Sequence, residues 1–102
     1  MAFAWAQFFF GDVTTSAAPI FTVPVGHTYV IRDIELSNDP QPGDLLFLTD
    51  SLTGRSLLTV QVRLDGASTR WHGRAALVAG QTVEATMNTS FCGALITGYD
   101  LS

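Results

Sequence analysis

The sequence predicts a single all-β domain of seven or eight short antiparallel strands, on three observations. Turn-forming residues recur at short intervals: Gly11, Pro19, Pro24 to Gly26, Asn38 to Asp44, Asp50 to Gly54, Asp65 to Gly66, Gly80 and Asn88. The short runs between them are rich in Val, Ile, Leu, Thr, Phe and Tyr, the spacing of a sandwich or barrel. No stretch keeps a 3.6-residue apolar period long enough for a helix.

Residues 1–18 read as an aromatic opening strand and arm. By strict alternation Phe3, Trp5 and Phe9 share one face and Phe8 and Phe10 the other. A strand apolar on both faces is either fully internal or needs cover on its second face, most simply from a neighbouring copy. In the next turn Pro24 pre-sets one dihedral and Gly26 supplies a positive φ or a close approach. Residues 27–37 conflict with simple alternation, because Val30, Ile34 and Leu36 share a face with Arg32. Either Arg32 is buried in a pair, for which Asp33 and Glu35 point the wrong way, or a bulge shifts the register.

The apolar run 45–48 suits a covered central strand. In 57–64, Leu58, Val60, Val62 and Leu64 form a dry face and Thr59, Gln61 and Arg63 a wet one. In 69–78, Trp71, Ala75 and Leu77 alternate with Arg70, His72 and Arg74, and residues 65–68 are expected to join these two strands as a hairpin loop. Gly73 inside that strand, beside Trp71, predicts a bulge or a tight contact across the sheet. Val83, Ala85 and Met87 alternate with Thr82, Glu84 and Thr86, and residues 95–101 close the chain as a last strand.

At 102 residues the chain is expected to be one domain, 1–102. It is 47% hydrophobic and only 14% charged, more apolar side chain than so small a body hides, so contiguous apolar surface covered by partner subunits is expected. Lysine is absent, and the basic residues are Arg32, Arg55, Arg63, Arg70 and Arg74. Arginine suits interfaces because its planar guanidinium pairs bidentately and stacks, whereas strongly hydrated lysine is depleted there. Phe3, Trp5 and Phe9, with Arg70, His72 and Arg74, are therefore the candidate interface residues. A net charge of −4 argues against nucleic acid and anionic membrane surfaces as partners.

Other chemistry finds little footing. Cys92 lies among Phe91, Gly93 and Ala94 and reads as a buried, inert thiol. Asn38, Asp39 and Asp44 bring enough oxygen to one loop for calcium in principle, yet no dense D-x-D-x-D run is present and two prolines explain the loop as a rigid turn; no metal or cofactor is expected. His27 and His72 are far apart in sequence, and no Ser or Cys sits in a nucleophile elbow, so no enzymatic activity is expected. The seven aspartates are expected almost wholly in turns, where their side chains cap the backbone. Trp71 between Arg70 and Arg74 suggests a sugar platform, but alternation turns it away from both arginines and toward the core. The apolar stretch Ala2 to Phe10 lacks a basic flank and reads as no signal peptide.

One combination of segments carries a resemblance: Phe21-Thr22-Val23-Pro24-Val25-Gly26, Tyr29-Val30-Ile31-Arg32-Asp33-Ile34, Trp71-His72-Gly73-Arg74, Ala79-Gly80-Gln81 and Ile96-Thr97-Gly98-Tyr99. Together they resemble the small β-sandwich structural proteins of tailed bacteriophage virions, over almost the whole chain. The resemblance implies a jelly-roll-like antiparallel β-sandwich repeated around a three-fold or higher axis, with a trimer expected. It further implies a virion subunit assembled in the host cytoplasm among other virion proteins, as a minor tail protein or a capsid decoration protein. A carbohydrate-binding module for host attachment is the alternative from another class.

Overall fold

The turn residues cut the chain into eight antiparallel strands: β1 (Phe3–Val13), β2 (Ala18–Thr22), β3 (Thr28–Ser37), β4 (Leu45–Asp50), β5 (Ser56–Gln61), β6 (Thr69–Leu77), β7 (Thr82–Met87) and β8 (Cys92–Leu101). A computed structural model describes residues 3–37, 41–64 and 69–102, with only the backbone of Phe3; no helix occurs among them. The opening segment is two strands: β1 pairs with β8 from Phe3 to Val13, and β2 begins at Ala18.

The strands form two four-stranded sheets, ordered β1-β8-β3-β6 and β2-β7-β4-β5. The pairs β1·β8, β2·β7, β3·β6 and β4·β5 are those made when the first half of the chain, paired back on the second half, rolls up as one ribbon. That winding is a jelly roll. It also corrects the expected hairpin between residues 57–64 and 69–78. β5 pairs with β4 in one sheet and β6 with β3 in the other, so the two are joined across the sandwich; residues 65–68 lie outside the described residues. Both arrangements bury period-2 apolar faces, and alternation cannot separate them.

The inner faces meet in a core led by Ile31, Ile34 and Ile96 from the first sheet and Leu46, Leu48, Val83 and Met87 from the second, all with almost no exposure. β5 ends at Gln61, so Leu64 leaves its expected dry face and is exposed. Val62 stays buried, donating its N–H to the Asp44 carbonyl (2.8 Å) and accepting from Gly43 N–H (3.0 Å). Pro19 falls inside β2 instead of at a turn, on an edge strand and at a register shift, where a missing N–H costs no ladder bond.

Two of the quoted motifs form interlocking turns. Pro24 to His27 closes with a bond from His27 N–H to Pro24 O (3.2 Å), with Gly26 at φ 84°. Val78 to Gln81 closes likewise (3.2 Å), with Gly80 at φ 85°. Both have the type II form, which needs glycine at its third position. Val23 clasps the second turn, donating to Gln81 O (2.9 Å) and accepting from Gly80 N–H (2.8 Å).

Register shifts line up across the first sheet. β1 carries an extra residue between Gln7 and Phe9, β3 one between Ile31 and Asp33, and β6 spans His72 to Ala75 against that same β3 interval. The open choice at Arg32 is thereby answered by a bulge. It lets Ile31 and Ile34, three residues apart, both face the core while Arg32 is the additional residue between them. Gly98 permits this, since a Cβ there would stand 1.8 Å from Val30 O. Gly73 lies in the β6 interval where the register shifts, which is the bulge expected there; a Cβ on it would also meet the Trp71 indole of its own strand at 2.6 Å.

Candidate functional site

The bulge in β1 decides which aromatics reach the surface. Phe8 turns inward, stacks on Tyr29 (centroids 4.2 Å apart, 13° between planes) and lies 5.8 Å from Phe21. Phe9 sits opposite buried Ile96 and packs against the core, so it does not share a surface with Trp5 as strict alternation predicts. Phe10 takes that place instead, opposite Leu95 and 73% exposed. Trp5 is 57% exposed and meets Tyr99 edge-on, centroids 5.3 Å apart. Of Phe3 the backbone pairing to Leu101 is described; its side chain lies outside the described residues.

The basic residues of β6 emerge on this same outer face. Arg70 lies opposite Glu35 and binds its carboxylate (2.6 Å), and His72 lies opposite Asp33 and pairs with it through Nδ1. Such exposed pairs add little stability, but they give both side chains a partner within the chain. Arg74 is left. With Arg32, Val30, Tyr99 and Leu101 it lines a shallow groove of about 470 Å³. The Arg32 guanidinium carbon stands 5.8 Å from the Tyr99 ring centre, within cation–π range, and its Nε is buried without a hydrogen-bond partner. Arg32 and Arg74 meet no carboxylate among the described residues.

Trp5, Arg70, His72 and Arg74 are thus brought together on one sheet face, and Phe9 is removed from it. Phe10, Arg32 and Tyr99 are members that sequence reasoning missed. The signal for Arg32 was its conflict with alternation. No comparable signal marks the extra residue in β1 that exchanges Phe9 for Phe10. Trp71 packs partly buried against the core, away from this face, as alternation predicts.

Elsewhere the polar groups are engaged in holding the fold. Asp44 is buried and accepts hydrogen bonds from Leu45 N–H (2.9 Å), Thr89 N–H (3.0 Å), Ser90 N–H (2.8 Å) and the Ser90 hydroxyl. Burial alone raises its pKa, but these bonds outweigh it and hold the carboxyl below its usual value. That occupation leaves Asp44 no free oxygen for an ion; Asn38 and Asp39 lie outside the described residues. His27 Nδ1 pairs with Asp100 (2.6 Å), tying the end of the Pro24 turn to β8. Asp12, Asp33 and Asp100 lie within strands instead of turns.

Cys92 is fully buried beside Met87 Sδ (3.6 Å), and burial pushes its thiol up to about 11. Neutral, inaccessible thiols react slowly, so iodoacetamide is expected to leave Cys92 unmodified in the native protein at pH 7.5 and to label it fully in denaturant. Rapid native labelling, followed by mass spectrometry, contradicts this.

No protein-family model matches the chain, and no curated protein matches it. Its backbone is similar to the core of Drosophila NLP, a structure reported for insight into pentamer formation and histone binding. The TM-score is 0.58 at 11% identity, covering 95% of this chain and 100% of that one. A chain of the extra small virus particle of the giant freshwater prawn Macrobrachium rosenbergii matches with a TM-score of 0.36 at 11% identity, covering 100% of this chain and 81% of that one. At these identities the NLP likeness supports the fold.

Proposed function

We propose that this chain is a non-enzymatic structural subunit that assembles with copies of itself through the outer face of the β1-β8-β3-β6 sheet. The observation that carries the reading is the exposure of Trp5 and Phe10 along one strand, beside Tyr99 and an arginine-lined groove. Aromatic and arginine side chains on a shared face, in a chain with no lysine, have the composition of an interface centre. The NLP likeness adds that a similar fold is connected with pentamer formation in another protein. The motif resemblance supports the virion of a tailed bacteriophage as the setting, as a minor tail protein in the first instance and a capsid decoration protein in the second. A trimer is the copy number we propose.

The test is Trp5→Ser, studied by light scattering and circular dichroism. The wild type is expected at three times the 11.0 kDa chain mass, and the variant at lower mass with its β spectrum intact. A variant that keeps the wild-type mass sinks the interface. A variant that loses the folded spectrum means that Trp5 belongs to the domain's own core.

A further inference from the structure

The groove lined by Arg32 and Arg74 is a local excess of positive charge on a chain of net charge −4. Two guanidiniums facing one groove repel each other unless an anion lies between them, and the Arg32 Nε is a buried donor without an acceptor. The nearest acids in sequence are already engaged: Asp33 with His72 and Glu35 with Arg70. We infer that this groove is a socket for a carboxylate of a second copy of the chain, and that Asp12 of the neighbouring copy fills it. The inference rests on the assembly reading above and supplies its polar contact.

Elimination points to Asp12. Among the described acids, Asp44 is consumed by residues 89 and 90, Asp100 pairs with His27, and Asp50 accepts from Leu52 N–H and Gln81. Glu84 stands in β7, in the other sheet, between buried Val83 and Ala85 and so on that sheet's outer side. Asp12 is exposed on β1, in the outward row of Trp5 and Phe10, with no ion pair among the described residues. It cannot reach the groove of its own copy: Asp12 lies opposite Gly93, at the other end of β8 from the groove-lining Tyr99 and Leu101, roughly 20 Å away along the strand at about 3.3 Å per residue. The contact therefore runs from the β1 edge of one copy to the groove of the next. Such a head-to-tail contact closes into a ring when the rotation allows, as a trimer requires. Charge complementarity also favours this occupant, because each copy carries more acids than arginines.

A charge-exchange series tests it, read as association constants from sedimentation velocity, with circular dichroism confirming folding. Arg74 and Asp12 are both exposed, so their substitution leaves the core untouched. Arg74→Glu and Asp12→Arg are each expected to weaken association by about tenfold or more, and the double variant to recover most of it. Single variants that associate like the wild type, or a double variant no better than the singles, overturn the socket while the assembly reading stands. A wild type that stays monomeric at tens of micromolar overturns both. Arg74-dependent binding of glucuronate by wild type, with association unchanged in the single variants, makes the groove a site for an acidic sugar and likewise overturns the inference.

Discussion

Gly98→Ala is expected to destabilise the domain by about 4 kcal/mol. The new Cβ meets Val30 O at 1.8 Å, Val30 C at 2.9 Å and Arg32 N at 3.0 Å, all backbone atoms of the bulge in β3. A flexible side chain could swing aside; a bulge pinned between β8 and β6 cannot. Relief requires β3 to slip or flatten, and either change turns Ile31 or Ile34 out of the core. Gly26→Ala is the control: its φ of 84° disfavours a side chain, but nothing lies within 4 Å, so about 1 kcal/mol is expected. Urea midpoints read both. A Gly98→Ala midpoint within error of the Gly26→Ala one means that the β3 bulge is not held as described.

Asp44→Ala is expected to cost about 3 kcal/mol, because it strands the amides of Thr89 and Ser90, which among the described residues only the Asp44 carboxylate receives. Those bonds fix the turn that delivers the chain from β7 into β8, the strand that β1 and β3 both pair with. The same carboxylate contributes a pH dependence. Its pKa is lowered in the folded state, so its stabilisation is fully present above the ordinary carboxylate range and is lost as pH falls through the folded value. Wild type should therefore lose stability between neutral pH and pH 3, and Asp44→Ala should lose less over the same interval. Parallel curves for the two proteins, measured by urea unfolding at each pH, contradict the role given to Asp44.

How much of this was legible beforehand follows from where the information resides. Strand existence, the dry faces of 69–77 and 82–87 and the inward Trp71 follow from period-2 alternation, which is local. The turns at Gly26 and Gly80 follow from the φ that glycine alone adopts freely. The hairpin expected at 65–68 was wrong because sheet membership is a long-range property, and period 2 is the same for a neighbour beside a strand and one across the sandwich. Phe9 was assigned to the surface because one unmarked extra residue inverts every later position of β1. Arg32 shows the converse: a cation on an apolar face signalled a conflict that either a buried pair or a bulge could resolve, and only the pairing of β3 with β8 decides for the bulge.

Phe8, Phe9, Phe21 and Tyr29 absorb much of the aromatic surplus internally, and the accessible surface of 5805 Å² is close to the roughly 5,600 Å² typical of a monomer this size. The case for assembly therefore rests on where the remaining apolar residues sit. Hydroxyl-radical footprinting, comparing the concentrated assembly with dilute chain by mass spectrometry, reads that directly. Trp5, Phe10 and Tyr99 should be protected in the assembly while Leu52, at 91% exposure in the turn between β4 and β5 of the other sheet, stays labelled. Equal labelling of Trp5 and Phe10 in both states contradicts the interface.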